Sequence, residues 1–133
     1  MPNEPTVAIE IQPQGDVCML RLQGRFTAGP DPDYVLGKSD KDRVRSFHKV
    51  LADLSALPSI GSMGIGFLVG LYTSVMRHAD GRFVLTGAAP RVREVLSLTR
   101  LDTVLPQAVD VTSGLVALRG EGPLLARDAR QAL

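Results

Sequence analysis

A short apolar run at Lys49 to Leu54 leads through a glycine- and serine-rich turn into an amphipathic segment beginning near Ser62, and a second apolar run follows at Arg82 to Thr86. That order of strand, helix and strand leaves few alternatives. Two strands joined through a helix lie parallel, and the crossover between them is right-handed. A parallel strand is covered on both faces, so Val50, Leu51, Ala52 and Leu54 run together instead of alternating with polar residues. In the helix, Ile65, Leu68, Tyr72 and Val75 recur at steps of three and four, the spacing of one face packed on a sheet. Ala79-Asp80-Gly81 is expected to end it. Phe67, Val69, Leu71 and Met76 add more apolar surface than one buried face requires, so part of this helix is expected to meet a partner.

The flanking segments extend the unit on both sides. Thr6 to Ile11 alternates, with Val7, Ile9 and Ile11 on one face, and Val17 to Gln23 alternates again around Cys18, Leu20 and Leu22. With the turn Gln14-Gly15-Asp16 between them and Gly24 closing the second run, they form an antiparallel hairpin. From Arg25 to Phe47 the pattern weakens: Gly29-Pro30-Asp31-Pro32-Asp33 breaks regular structure, and a short helix is expected near Tyr34 or Val44. Pro90 suits the first turn of a second helix that carries Val92, Val95 and Leu96. Thr103-Val104-Leu105 reads as a short edge strand, and Asp110 to Leu118 as a third helix broken by Gly120-Glu121-Gly122-Pro123. Leu124 to Leu133 forms a last helical turn or frays. The expectation is one α/β domain over 1–133 with its core at 6–118. Its sheet is mixed, an N-terminal hairpin plus parallel βαβ strands, with helices packed mainly on one face.

Several function classes are disfavoured by the residues present. A net charge of +1 supplies no basic excess for a phosphate backbone, so nucleic acid is not expected as a partner. Cys18 is the only cysteine, which rules out an internal disulfide and fits a reducing compartment. Met1-Pro2-Asn3-Glu4-Pro5 lacks the basic and apolar regions of a leader, and no apolar run nears the ~20 residues that cross a bilayer. A cytoplasmic protein without membrane insertion is expected. Gly37-Lys38-Ser39 resembles the end of a phosphate-binding loop, but Pro32 stands where that motif needs glycine. Gly61, Gly64 and Gly66 are in the wrong order for a dinucleotide fingerprint. His48 and His78 have no cysteine or carboxylate at ligand spacing and read as surface residues, so neither a metal nor another cofactor is expected. Ser62 has no flanking glycine pattern of a nucleophile elbow, and Asp53 reads as a strand-end residue, so no catalytic residue is assigned and the chain is not expected to be an enzyme.

Ser62 itself supports two readings. As a helix N-cap its hydroxyl would satisfy a backbone amide, worth ~1 kcal/mol. As a phosphoacceptor it would carry about −1.5 to −2 charges at a helix N-terminus, where the helix dipole tolerates them.

Taken together, Val50-Leu51-Ala52-Asp53-Leu54-Ser55, Ile60 to Gly66, Gly81-Arg82-Phe83-Val84-Leu85, Pro90 to Leu96 and Thr99-Arg100-Leu101-Asp102 resemble the STAS domain of bacterial anti-sigma factor antagonists. The likeness runs from about Thr6 to Leu118 and is strongest from Val50 to Leu105. The family's central pattern is Asp-Ser-Ser/Thr-Gly-Leu/Ile-Gly, whose first serine is phosphorylated by a partner kinase. Aligned on Gly64 and Gly66, that serine is Ser62. The resemblance implies an unphosphorylated antagonist that binds an anti-sigma factor, often a serine kinase of the histidine-kinase-like ATPase fold, and so frees a sigma factor for transcription. Phosphorylation reverses this, and a serine phosphatase resets it. Two positions depart from the pattern: Gly61 replaces the aspartate and Met63 the second serine or threonine. Gly61 also frees the backbone for a positive φ. Gly61, Ser62, Met63, Gly64, Phe67 and Leu71 make up the expected partner surface, with the alternative that Phe67 and Leu71 pack under the segment from Asp31 to Phe47. The alternatives are a STAS scaffold or transporter-accessory module without a switch, and a STAS domain that binds a small ligand or nucleotide through the amides of Gly61 to Gly66.

Overall fold

In the computed structural model, residues 7–24 and 38–119 are described. Strands β1 (Val7–Gln14) and β2 (Val17–Gly24) are followed by helix α1 (Lys38–Arg45), strand β3 (Lys49–Ala56), helix α2 (Ser62–Met76) and strand β4 (Arg82–Thr86). Helix α3 (Pro90–Leu98), a 3-10 turn (Leu101–Thr103), strand β5 (Gln107–Ala108) and helix α4 (Val111–Leu118) complete the order. The five strands form one sheet in sequence order, with β1 antiparallel to β2 and every other pair parallel.

Local sequence explains most elements. Gly15, at φ +63, makes the two-residue connection that lets Gln14 pair with Val17. Pro90 starts α3 where its missing N–H costs nothing. The side chain of Asp110 caps α4 by accepting the Ser113 N–H at 2.8 Å. The α2 stripe that turns inward is Gly64, Phe67, Leu68, Leu71 and Val75, again at steps of three and four.

Because the strand order advances in one direction, each right-handed crossover lays its helix on the same face of the sheet. Val44 of α1, Leu68, Leu71 and Val75 of α2, and Val92 and Leu96 of α3 accordingly share one core with Cys18, Leu20, Val50, Ala52, Phe83 and Leu85. Helix α4 is not a crossover. It closes the opposite face, where Leu118 meets Val17, Met19, Leu51, Val84 and Ala108. A fully buried leucine such as Leu68 contributes about 2 kcal/mol by removal of its side chain from water.

Four expectations need correction. Helix α2 ends at Met76 with Arg77 as its C-cap, ahead of Ala79-Asp80-Gly81. The edge strand is Gln107–Ala108, not 103–105. Arg100 takes a left-handed φ of 63 and opens the 3-10 turn, and Leu105 points into the core, so pairing with β4 begins only where the Pro106 carbonyl accepts the Leu85 N–H at 2.8 Å. Both faces of β2 are buried from Val17 to Leu20, because α4 covers the side that alternation left to solvent. Phe67 and Leu71, expected at a partner surface, are each only 7% exposed, since they lie on the inward stripe of α2. The short helix sits at Val44; the Tyr34 alternative and the segment 124–133 lie outside the described residues.

Candidate functional site

The carboxyl ends of β3 and β4 stand side by side, Asp53 paired with Thr86, and the loops that leave them form one end of the molecule. The loop after β3 is anchored by Leu57 and Ile60, which are 1% and 5% exposed. Gly61 is then the N-cap of α2, with its carbonyl accepting the Ile65 N–H at 2.9 Å. Its backbone is extended, φ −118 and ψ −167, so the positive φ open to glycine is not used.

Ser62 is therefore the first residue inside the helix and not its cap. No side-chain cap bond is made at this end, and the first turn carries no acidic residue. Ser62 and Met63 are exposed, Met63 at 36%, and Gly66 follows on the open side with nothing within 4 Å of where a β-carbon would stand. Gly64 faces the core instead. Of the six residues expected to form the partner surface, Ser62 and Met63 lie on the outside, Gly61 is half-buried, and Gly64, Phe67 and Leu71 turn inward. Phe67 and Leu71 line a cavity of about 80 Å³ between α1 and α2, together with Lys41, Val44, Gly66 and Gly70.

Asp53 holds this end together. It is 3% exposed, its Oδ1 accepts the Ser55 N–H at 3.0 Å, and its Oδ2 lies 3.4 Å from Arg21 Nε. Gly87 passes so close that a β-carbon there would sit 3.3 Å from Asp53 Oδ1 and 3.0 Å from Ser55 Cβ, and its φ of +70 suits glycine as well. The loop after β4 is thereby drawn against the end of β3. Asp53 is more than a polar interruption at a strand end, and the sign of this in the sequence is its place inside an otherwise apolar, doubly covered strand.

Ser62 has no histidine within reach. His48 precedes β3 and Ser62 follows it, and an eight-residue strand puts about 25 Å between its two ends. The two histidines instead meet at the far end, with ring centroids 3.8 Å apart and planes 18° from parallel. Asp80 joins them, its Oδ1 2.7 Å from His48 Nδ1. The carboxylate missing at sequence spacing is supplied by the tertiary structure, and a signal for it exists: Lys49 pairs with Arg82, so the residues just ahead of two parallel neighbours must adjoin. Among the described residues no three His, Cys, Asp or Glu side chains form a group that could hold a metal ion, and no helix is long and apolar enough to cross a membrane.

Residues 8–113 match the family model of the STAS domain. A Thermotoga neapolitana protein named as a homolog of an anti-sigma factor antagonist is 32% identical over 76 residues, 57% of this chain; the match spans just under two thirds, 66%, of that relative. The crystal structure of an anti-sigma factor antagonist from Thermotoga maritima superposes with a TM-score of 0.70 at 22% identity, covering 84% of this chain and 94% of that one. That of the anti-sigma factor antagonist SpoIIAA in its unphosphorylated form gives 0.60 at 18% identity, covering 85% and 97%.

Proposed function

The chain belongs to the STAS domain family, and from that premise we propose that it is an anti-sigma factor antagonist that acts by binding, not by catalysis, with Ser62 as its phosphoacceptor. The observation that carries the reading is the state of Ser62: exposed, at the first turn of α2, with its hydroxyl not used as a cap and no acidic residue in that turn. Unphosphorylated, Ser62 and Met63 offer a small neutral surface on which an anti-sigma factor docks. A phosphate there adds about −1.5 to −2 charges. The N-terminus of α2 accommodates that charge, typically by 0.3–1 kcal/mol in its favour, so the fold survives. A partner that buries the same turn must desolvate the charge at roughly several kcal/mol, and about 1.4 kcal/mol is a tenfold loss of affinity. The modification therefore releases the partner without unfolding the antagonist. A serine kinase of the histidine-kinase-like ATPase fold would write it and a serine phosphatase would remove it.

The test is mass spectrometry of the tryptic peptide Val50 to Arg77 from cells that produce the protein. Phosphate on Ser62 is expected; a peptide unmodified in both resting and stressed cells overturns the switch. Gly61 favours a second reading, because it removes the carboxylate that the family places beside the acceptor. On that reading the chain is a STAS scaffold that binds constitutively, and Ser62→Glu would leave capture of its partner unchanged where the switch predicts loss.

A further inference from the structure

Between α1 and α2 the surface opens into a groove whose bottom is apolar, formed by Val44, Phe67 and Leu71. One wall carries Lys41 and Arg45, a turn apart on α1, and the other is Gly66 and Gly70, a turn apart on α2. Asp40 and Asp42 belong to the same helix as the two cations, yet no acidic side chain is among the described residues that line the groove. Nothing lies within 4 Å of where a β-carbon would stand on either glycine, so a second backbone can come close to α2 here.

The outer row of α2 continues the groove in both directions. Ser62, Gly66, Gly70 and Ser74 follow at steps of four, and Arg77 stands three residues further on. A surface helix normally turns a charged stripe to water. From Ser62 to Met76 this one has no charged residue, and it leaves Met63 and Met76 36% and 46% exposed. The face is thus uncharged over about four turns while the charges beside it, Lys41, Arg45 and Arg77, are positive. Size decides between a small molecule and a protein as the occupant. Pockets for small ligands measure roughly 300–1,000 Å³. A volume of about 80 Å³ takes a single aliphatic side chain.

Resting on the antagonist reading above, we propose that the groove anchors an acidic amphipathic helix of the partner. That helix lies along α2, inserts one aliphatic side chain over Phe67 and Leu71, and sets its carboxylates against Arg45 and Arg77. A helix fits because a row of small residues straight down α2 lets two helices meet along their length, with one apolar anchor in the groove between α1 and α2. Along the helix Ser62 is about 12 Å from Gly70, so roughly two turns of the partner cover both. A phosphate on Ser62 then meets like charges as well as losing water, and the acidity of the partner sharpens its release.

The test is photocrosslinking of the full chain, in cells that produce it, with benzoylphenylalanine in place of the exposed Thr73. The crosslinked peptide should come from another protein and carry an aliphatic residue flanked by an excess of Asp and Glu. Arg45→Glu should lower the yield by about tenfold or more, the scale of a like-charge clash, and Arg45→Lys should keep it. Gly70→Leu, whose side chain fills the groove, should abolish it, with urea midpoints showing that each variant is folded. A captured peptide without acidic excess, one from this chain itself, or no captured peptide overturns the proposal. So does an Arg45→Glu yield equal to that of the parent. Ser62→Glu separates the two readings. An acidic peptide captured equally well by Ser62→Glu keeps the groove and removes the switch, whereas a peptide without acidic excess removes the groove even where Ser62→Glu lowers its yield.

Discussion

A β-carbon on Gly81 would stand 2.0 Å from the carbonyl oxygen of Val75, closer than any two such atoms can come. The chain leaves α2 and folds back over its last turn, with the Gly81 N–H donating to the His78 carbonyl at 3.0 Å. The obstacle is backbone and cannot swing aside. Gly81→Ala should destabilise the protein by about 2–3 kcal/mol, the scale of overpacking, seen as a lower urea midpoint at unchanged slope.

Gly70 is the opposite case. It lies inside α2 on the exposed side, with nothing within 4 Å of its β-carbon position. Gly70→Ala should stabilise by about 0.5–1 kcal/mol, because alanine loses less backbone freedom in a helix. The same denaturant titration reads it, and a loss of stability would mean that the outer side of α2 is not open.

Removing the Asp53 carboxylate should cost about 1–2 kcal/mol, since the half-buried Ser55 N–H loses its acceptor and Arg21 its partner. Arg21 is 43% exposed and can recover water, which keeps the figure at the low end for that partner. In Asp53→Ala, amide exchange near Ser55 and Gly87 should accelerate before that of α4, which is anchored elsewhere.

Burial pushes the Cys18 thiol up from 9.0 to about 11. Its thiolate is thus scarce at pH 8, and alkylation by iodoacetamide should be slow in the native protein and fast in urea. The linkage has a definite sign. The unfolded thiol ionises at lower pH than the folded one, so this stability is complete below pH 9 and is lost as pH rises toward 11. Cys18→Ala should flatten the stability curve over that window.

The acid side runs the other way. Asp110 is held below its ordinary range, first by the Ser113 N–H that it accepts as the cap of α4. A lowered folded value means stability that is fully present above the unfolded value of 3.8 and is lost below it, as pH falls through the lower folded value. Asp110→Asn keeps a capping oxygen without the titration, so its stability should decline less between about pH 5 and 3 than that of the parent. An unchanged decline would assign the acid sensitivity to other carboxylates.

Elements set by local rules were legible. Alternation and a glycine turn gave the hairpin, and an unbroken apolar run gave β3 as a strand covered on both sides. Pro90 marked the first residue of α3, and Asp110 stands one residue ahead of α4 as its cap. Ser62 was located to within one position, and that position changes its role, because the N-cap is set by where the backbone enters the helix and the candidates Gly61 and Ser62 are neighbours. The 103–105 segment misled because Thr, Val and Leu favour a strand, while the register of Leu85 and Thr86 admits a partner only from Pro106 onward.

The sequence alone determined the hairpin, the strands β3 and β4 with the helix between them, that these two strands run parallel, and that a serine stands at the start of the central helix. Each of these rests on periodicity or on one residue's backbone preference, properties a chain carries before it folds. Only the tertiary structure decided that α4 closes the second face over Met19, that Phe67 and Leu71 lie beneath α1, and that His48 and His78, 30 residues apart, stack at 3.8 Å. Those outcomes depend on which elements come to share a face or a sheet edge, and pairwise distance across the sheet is not written in local pattern.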